Sequence, residues 1–279
     1  MKKIFIAYAD DAMAWSLKRI GRQAKRIGVF DEIILYTPAS LPEDVRTHPL
    51  MSHKRGAGLW YWKPNVIVKT LQDYPDAYVC YCDAGCTLRK SFAWDMMFRA
   101  LEEYETILFR YEKHQPQWGK LGSSTSEIVN WTKKDMLDFL NTYLKDTNYC
   151  KNNLLLAGLL FIRNPYNSLL NDWLSIMKNS PDLIVDPTDE EIIFQHEGYA
   201  GHRHDQSLIS ALAPYYPGTL ILPECSEKYS PDAFVYASRV RAQNALQGYA
   251  TLMKHYFRRI LGDKYFEAVK SFFFKRYNS

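Results

Sequence analysis

The stretch YWKPNVIVKTLQDYPDAYVCYCDAGC, residues 61–86, decides the fold. Pro64 to Leu71 carries a helical apolar pattern, and Ala77 to Cys82 is a short apolar run of the kind that forms a buried strand. Asp83 follows that strand directly, which places its carboxylate at a strand's carboxyl end, where α/β sheets build their sites. Toward the N-terminus, Lys2 to Ala9 reads as a first strand, Ala12 to Ile27 as a helix spaced on Trp15, Ile20, Ala24 and Ile27, and Asp31 to Tyr36 as a second strand. The alternation predicts a mainly parallel sheet with helices on both faces.

Toward the C-terminus the alternation continues. Phe92 to Tyr104 reads as a helix, Thr106 to Tyr111 as a strand and Thr132 to Lys145 as a helix. Leu154 to Arg163 is an apolar run interrupted by Gly158 and stopped at Asn164-Pro165, with a helix expected from Pro165 to Met177. Glycine at 158 invites close approach by a backbone or a ligand. A polar, loop-like stretch from Lys178 to His204 leads into a helix that starts at Asp205-Gln206-Ser207 and runs to Ala213. From Ala242 to Phe274, Leu246, Tyr249, Leu252, Met253, Tyr256, Phe257, Ile260 and Leu261 recur at helical spacing, with Lys254, Arg258 and Arg259 between them. Residues 1–241 are therefore expected to form one domain and residues 242–279 a basic amphipathic helical tail. That tail either packs on the domain or meets anionic lipid, to which Phe272-Phe273-Phe274 beside Lys275 and Arg276 is suited.

Composition narrows the partners. The 279 residues are 47% hydrophobic and 24% charged, and 35 basic against 31 acidic side chains leave +4, too little for a dedicated nucleic-acid binder. Aromatics make up 15%, including 20 Tyr and 7 Trp, which suits a cleft that stacks on planar or sugar surfaces as well as it suits a core. Five Cys without a framework indicate a reducing compartment, and Cys80, Cys82 and Cys86 are expected in the core. Asp10 and Asp11 break the apolar run that follows Lys2-Lys3, and no segment reaches about 18 uninterrupted apolar residues. A cytoplasmic protein is expected.

Upstream of Asp83 lies Arg55-Gly56-Ala57-Gly58-Leu59-Trp60-Tyr61-Trp62-Lys63-Pro64. Cations at a helix start favour phosphate, glycines let a backbone approach a ligand, and aromatic faces stack a base or sugar. Arg55 and Lys63 read as phosphate ligands, with Trp60 and Trp62 as stacking faces or core anchors. Asp83 is otherwise a turn or cap residue, and Asp205 is equally suited to capping the helix LISALA. No G-x-x-x-x-G-K loop occurs, which argues against a nucleotidyltransferase or another nucleotide-dependent α/β enzyme of that kind.

Trp62-Lys63-Pro64 followed by a helix, a strand and Asp83-Ala84-Gly85-Cys86 resembles the donor half of bacterial GT-A type glycosyltransferases that extend capsule, O-antigen or related glycans. Leu156-Ala157-Gly158 leading to Arg163-Asn164-Pro165 resembles the acceptor-cleft strand of glycogenin-like transferases, and His204-Asp205-Gln206-Ser207 resembles the helix start that follows it. The resemblance spans roughly residues 1–240. It implies a Rossmann-like mixed α/β sheet with a donor half over about 1–110 and an acceptor half over about 111–241. It also implies transfer of a sugar, a hexose above all, from a nucleotide-diphosphate sugar, UDP-sugar first, to a glycan or a polyprenyl- or lipid-linked acceptor at the inner face of the cytoplasmic membrane.

By residue, the resemblance implies donor contacts from Asp10, Arg55, Trp62, Lys63, Asp83, Gly85, Arg239 and Arg241, and acceptor contacts from Ala157, Gly158 and His204. Asp205 would act as general base in an inverting transfer, or support the anomeric charge with Gln206 in a retaining one. The family's Asp-X-Asp ends here in Gly85. The expectation is then Mn²⁺ or Mg²⁺ held by Asp83 with help from His202, His204 or Asp205; the alternative is leaving-group stabilisation by Lys63, Arg239 and Arg241. The competing function is a non-catalytic glycan- or nucleotide-sugar-binding protein on the same fold.

Overall fold

The computed structural model describes residues 1–227 and 233–254. Tyr256, Phe257, Arg258, Arg259, Ile260, Leu261 and the Phe272-Phe273-Phe274 triple with Lys275 and Arg276 lie outside the described residues.

The chain alternates as expected through its first half. Strand β1 (Lys2–Tyr8) leads to helix α1 (Ala14–Ile27), which ends at Gly28 in the left-handed conformation that glycine adopts without steric cost. Strand β2 (Glu32–Tyr36) is followed by the one-turn elements α2 (Glu43–Arg46) and α3 (Gly56–Leu59), then by helix α4 (Trp62–Asp73). Strand β3 (Ala77–Cys82) is buried at all six positions, which is why it reads as an unbroken apolar run. Next come β4 (Thr87–Leu88), α5 (Ala93–Glu103), β5 (Thr106–Arg110), α6 (Lys134–Leu144), β6 (Leu159–Arg163), α7 (Ser168–Asn179), the single turn α8 (Asp189–Ile192), α9 (His204–Leu212), β7 (Thr219–Pro223) and β8 (Val235–Tyr236).

Six strands form one mixed sheet in the order β2-β1-β3-β6-β5-β7. β1 runs parallel to both β2 and β3, β6 runs antiparallel to β3 and β5, and β7 is parallel to β5. Because the chain leaves β1 on one side for β2 and returns on the other for β3, the order reverses between β1 and β3. Tyr8-Ala9-Asp10 and Cys82-Asp83-Ala84 leave the sheet there, at the crevice where such folds take ligands. β4 pairs with β8 in a separate ribbon that carries residues 233–242 back to the loop after Asp83.

Much of the aromatic content is core. Trp94, Phe98, Phe161 and Phe234 pack with ring centroids 4.8–6.3 Å apart, mostly edge to face, joined by Phe5 and Phe30. Two expectations shift. The run from Leu154 does not continue as strand, since Ala157-Gly158 form a turn whose Gly158 carbonyl accepts Asp83 N–H at 2.9 Å, and β6 begins only at Leu159. α7 starts at Ser168 rather than Pro165, because Asn167 caps it, Oδ1 accepting from Leu170 N at 2.9 Å while Nδ2 donates to Thr106 Oγ1.

Residues 245–254 are helical, as the tail pattern requires. Leu246, Tyr249 and Met253 are exposed, while Gly248 and Tyr249 meet Trp15 of α1. No helix among the described residues is long and apolar enough to cross a membrane.

Candidate active site

The carboxyl ends of β1 and β3, the 54–63 segment, the 156–158 turn, the start of α9 and residues 237–241 enclose one cleft of about 860 Å³. Among the expected site residues, Asp10, Arg55, Trp62, Lys63, Asp83, Gly85, Ala157, Gly158, His204, Asp205, Gln206, Arg239 and Arg241 all line it. His202 does not. It lines a smaller neighbouring cavity of about 510 Å³, where Arg55 and Arg203 face both spaces.

A buried ion pair forms the centre. Lys63 enters from the first turn of α4 and is 2% exposed; its Nζ lies 2.7 Å from Asp205 Oδ2 and donates to the Ala157 carbonyl at 3.1 Å. This corrects the expectation of Lys63 as an open phosphate ligand. A buried ammonium costs too much to leave unpaired, and here Asp205 supplies the counter-charge. Burial pushes the Asp205 carboxyl up to about 6, with the Asp83 charge adding and Lys63 opposing. α9 is fixed around the pair: Gln206 Nε2 donates to Leu155 O at 2.7 Å, Ser210 Oγ accepts from Leu155 N at 2.8 Å, and Ser207 Oγ donates to Trp131 O at 2.7 Å.

Asp83 leaves β3 with its Oδ1 accepting the Tyr81 hydroxyl. Residues two apart on a strand share a face, so that partner was readable in the alternation of β3 although sequence reasoning passed it over. Position 158 must lack a side chain, since a Cβ there would stand 2.8 Å from Asp83 Oδ2. Gly158 thus makes room for the carboxylate.

Trp62 is floor rather than free stacking face: it is 3% exposed, stacks on Tyr8 at 3.9 Å and donates Nε1–H to Gly56 O. The Tyr8 hydroxyl beside it is buried with no hydrogen-bond partner among the described residues, and burial raises its pKa. Arg55 is half-exposed and bidentate to Asp186 at 3.0–3.1 Å. His204 Nδ1 meets Ile184 O at 2.7 Å, and burial lowers its pKa to about 4, so the ring is neutral near pH 7. Arg203, Trp118, Tyr111 and Glu227 complete the wall, and none was flagged by the sequence. Arg203 lies over Trp131 and Trp118, 4.4 and 5.3 Å from the ring centroids.

The cleft concentrates backbone strain. Ala57, Trp60, His204 and Arg239 all have φ between 47° and 60° and all line it. Left-handed conformation costs a non-glycine residue about 1–2 kcal/mol, and such cost gathers where surrounding structure holds a site in shape.

The expected metal pairing of Asp83 with His202 does not form. His202 is buried with Nδ1 accepting from Lys133 N at 3.3 Å and Nε2 against Leu183 O at 2.9 Å, so neither nitrogen is open to an ion, and burial lowers its pKa. Among the described residues no three His, Cys, Asp or Glu side chains are grouped to hold a metal.

No protein-family model matches the chain, and no curated protein matches its sequence. Among solved structures it is similar to a glycosyltransferase involved in the glycosylation of the major capsid of PBCV-1, at 8% identity over 81% of this chain and 84% of that one, with a TM-score of 0.43. It is also similar to mouse xyloside xylosyltransferase 1 (10% identity, 85% and 97% of the chains, TM-score 0.44). A third is the galactosyltransferase LgtC with donor and acceptor sugar analogues (15% identity, 78% and 72%, TM-score 0.37).

Proposed function

We propose that this protein is a glycosyltransferase that moves a sugar, a hexose first, from a nucleotide-diphosphate donor to a glycan or lipid-linked acceptor in surface polysaccharide synthesis. The observation that carries the reading is the meeting of Asp83, the Lys63–Asp205 pair and a basic wall in one cleft at the β1/β3 crevice. The nucleotide, a UDP-sugar first, lies against Asp10, Tyr8 and Asp83, with its diphosphate toward the basic wall and the donor sugar toward Asp205. Burial raises the Asp205 carboxyl to about 6, toward neutrality, as a general base requires; in a retaining transfer the same charge, with Gln206, supports the anomeric carbon. The acceptor enters past Ala157, Gly158 and His204. The exposed Leu246, Tyr249 and Met253 support contact of the tail with a membrane surface that presents a lipid-linked acceptor.

Incubation with a panel of nucleotide sugars, followed by release of the nucleoside diphosphate, tests the reading. Turnover of at least one donor supports transfer, whereas binding without turnover in the presence of glycan acceptors supports the competing reading of a binding protein.

A further inference from the structure

The cleft carries more positive charge than its acids match. Seven lysines and arginines line it against four carboxylates. Arg55, Lys63 and Arg239 are paired to Asp186, Asp205 and Glu227, but Arg241, Lys54, Lys120 and Arg203 have no carboxylate partner among the described residues. The acids, conversely, are a poor donor set for a hard divalent ion, which takes several open oxygens. Asp83 Oδ1 accepts from Tyr81, Asp205 Oδ2 faces Lys63, and Glu227 is held by both Arg239 and Tyr111. Asp83 Oδ2 and Asp10 are left, and among the described residues no three His, Cys, Asp or Glu side chains are grouped, so the side chains present do not fit a resident metal ion.

The 238–242 segment packs against position 85. A Cβ on Gly85 would stand 3.5 Å from Arg239 Cα and Val240 O, ordinary contact distance, so the segment lies against the backbone two residues beyond Asp83. That segment is pinned: the Gly85 carbonyl accepts from Val240 N and Ser238 Oγ, each at 2.9 Å, and Ser16 Oγ donates to Val240 O at 2.7 Å and accepts from Ala242 N at 3.0 Å. Burial alternates along it, with Ser238, Val240 and Ala242 inside and Arg239 and Arg241 exposed at the cleft.

We infer that the departing nucleoside diphosphate is neutralised by this chain's own unmatched cations, Arg241 first, on the segment pinned to Gly85, without a divalent ion. The inference rests on the nucleotide-sugar reading and concerns the same cleft. The bond from the anomeric carbon to the β-phosphate oxygen breaks with its electron pair passing to that oxygen, and the acceptor oxygen forms the new bond to the anomeric carbon. The acceptor proton passes to Asp205 or, in a same-face transfer, to the departing phosphate. Preorganised guanidinium groups stabilise the charge that appears on the leaving oxygen.

Calorimetric titration of the full chain with UDP, GDP, CDP and ADP, in EDTA and again in Mn²⁺, tests this without any assay of turnover. At least one nucleotide should bind in EDTA with a Kd within about threefold of its value in Mn²⁺. Arg241→Gln should weaken that binding by about tenfold or more, the scale of a lost charge-assisted hydrogen bond, with an unchanged melting temperature because Arg241 is exposed and unpaired. Binding that requires Mn²⁺, or an Arg241→Gln protein that binds as well as the wild type, overturns the inference and leaves the nucleotide-sugar reading standing. Absence of binding under both conditions removes both.

Discussion

Two residues determine how much of the cleft is chemistry and how much is scaffold. Asp205 shares buried space with Lys63, so Asp205→Asn removes the proposed base and strands an ammonium at once, and breaking such a pair from one side costs about 3–5 kcal/mol. The double variant Lys63→Met, Asp205→Asn should recover much of the melting temperature lost in Asp205→Asn while recovering none of the turnover, which is expected to fall at least about a hundredfold. If stability and turnover return together, Asp205 is only a structural partner. Gly158→Ala gives a cleaner separation, because the three atoms nearest the added methyl all belong to the Asp83 side chain, Oδ2 first at 2.8 Å. Turnover should drop about tenfold or more while stability stays within about 1 kcal/mol, the range of a Gly→Ala change.

The pH dependence belongs to the same pair. The Asp205 carboxyl, near 6 instead of its ordinary 3.8, is a base only when unprotonated, so turnover should fall as pH drops through about 6. Lys63 holds that value down, and Lys63→Met should move the acidic limb to higher pH. For stability the sign is opposite to a salt-bridged surface acid. The native state binds this proton more tightly, so its contribution is present below about pH 4 and is lost as pH rises from there through about 6. A limb that stays in place in Lys63→Met would assign it to another group.

At the scale of elements, what was legible followed from periodicity. β3 and α4 could be read because complete burial and a proline-led helix leave strong local patterns, and Asp83 inherited its position from the strand before it. β7 was not legible. Among the described residues it is a half-exposed edge strand paired only with β5, so TLILP lacks both the full burial and the alternation that mark a strand. The site suffered the same limit. Lys63 looked like a free cation because its neighbours are glycines and aromatics, whereas the carboxylate that buries it lies 142 positions later in the chain. Arg203, Glu227 and Tyr111 carry no local signature, since their roles arise from tertiary contact alone. The docking of residues 245–254 is another such contact and can be tested directly. A Cβ on Gly248 would fall 2.2–2.5 Å from the Trp15 ring, so Gly248→Ala should detach this helix, raise its protease sensitivity and shift Trp15 fluorescence. Unchanged proteolysis and emission would mean that α1 yields instead.

Across the whole molecule, the sheet brings both halves of the chain to one cleft. β1 and β3 present Asp10 and Asp83, the turn before β6 presents Ala157 and Gly158, α9 presents Asp205, and the returning 238–242 segment closes the cleft with arginines. Residues 245–254 do not line the cleft, so removing residues after 244 should release the protein from anionic liposomes in a salt-dependent way while sparing donor hydrolysis. Full-length protein that stays in the supernatant at low salt would make the tail a packing element. Nucleoside diphosphate release from a nucleotide-sugar panel by the wild type and Asp83→Ala, read beside their melting temperatures, decides whether the Asp83–Asp205 cleft transfers sugar. The expected result is turnover of at least one donor by the wild type and a loss of about a hundredfold or more in Asp83→Ala at a melting temperature within a few degrees. A wild type that releases nothing from any donor, or an Asp83→Ala protein that melts earlier yet turns over at the wild-type rate, would contradict it.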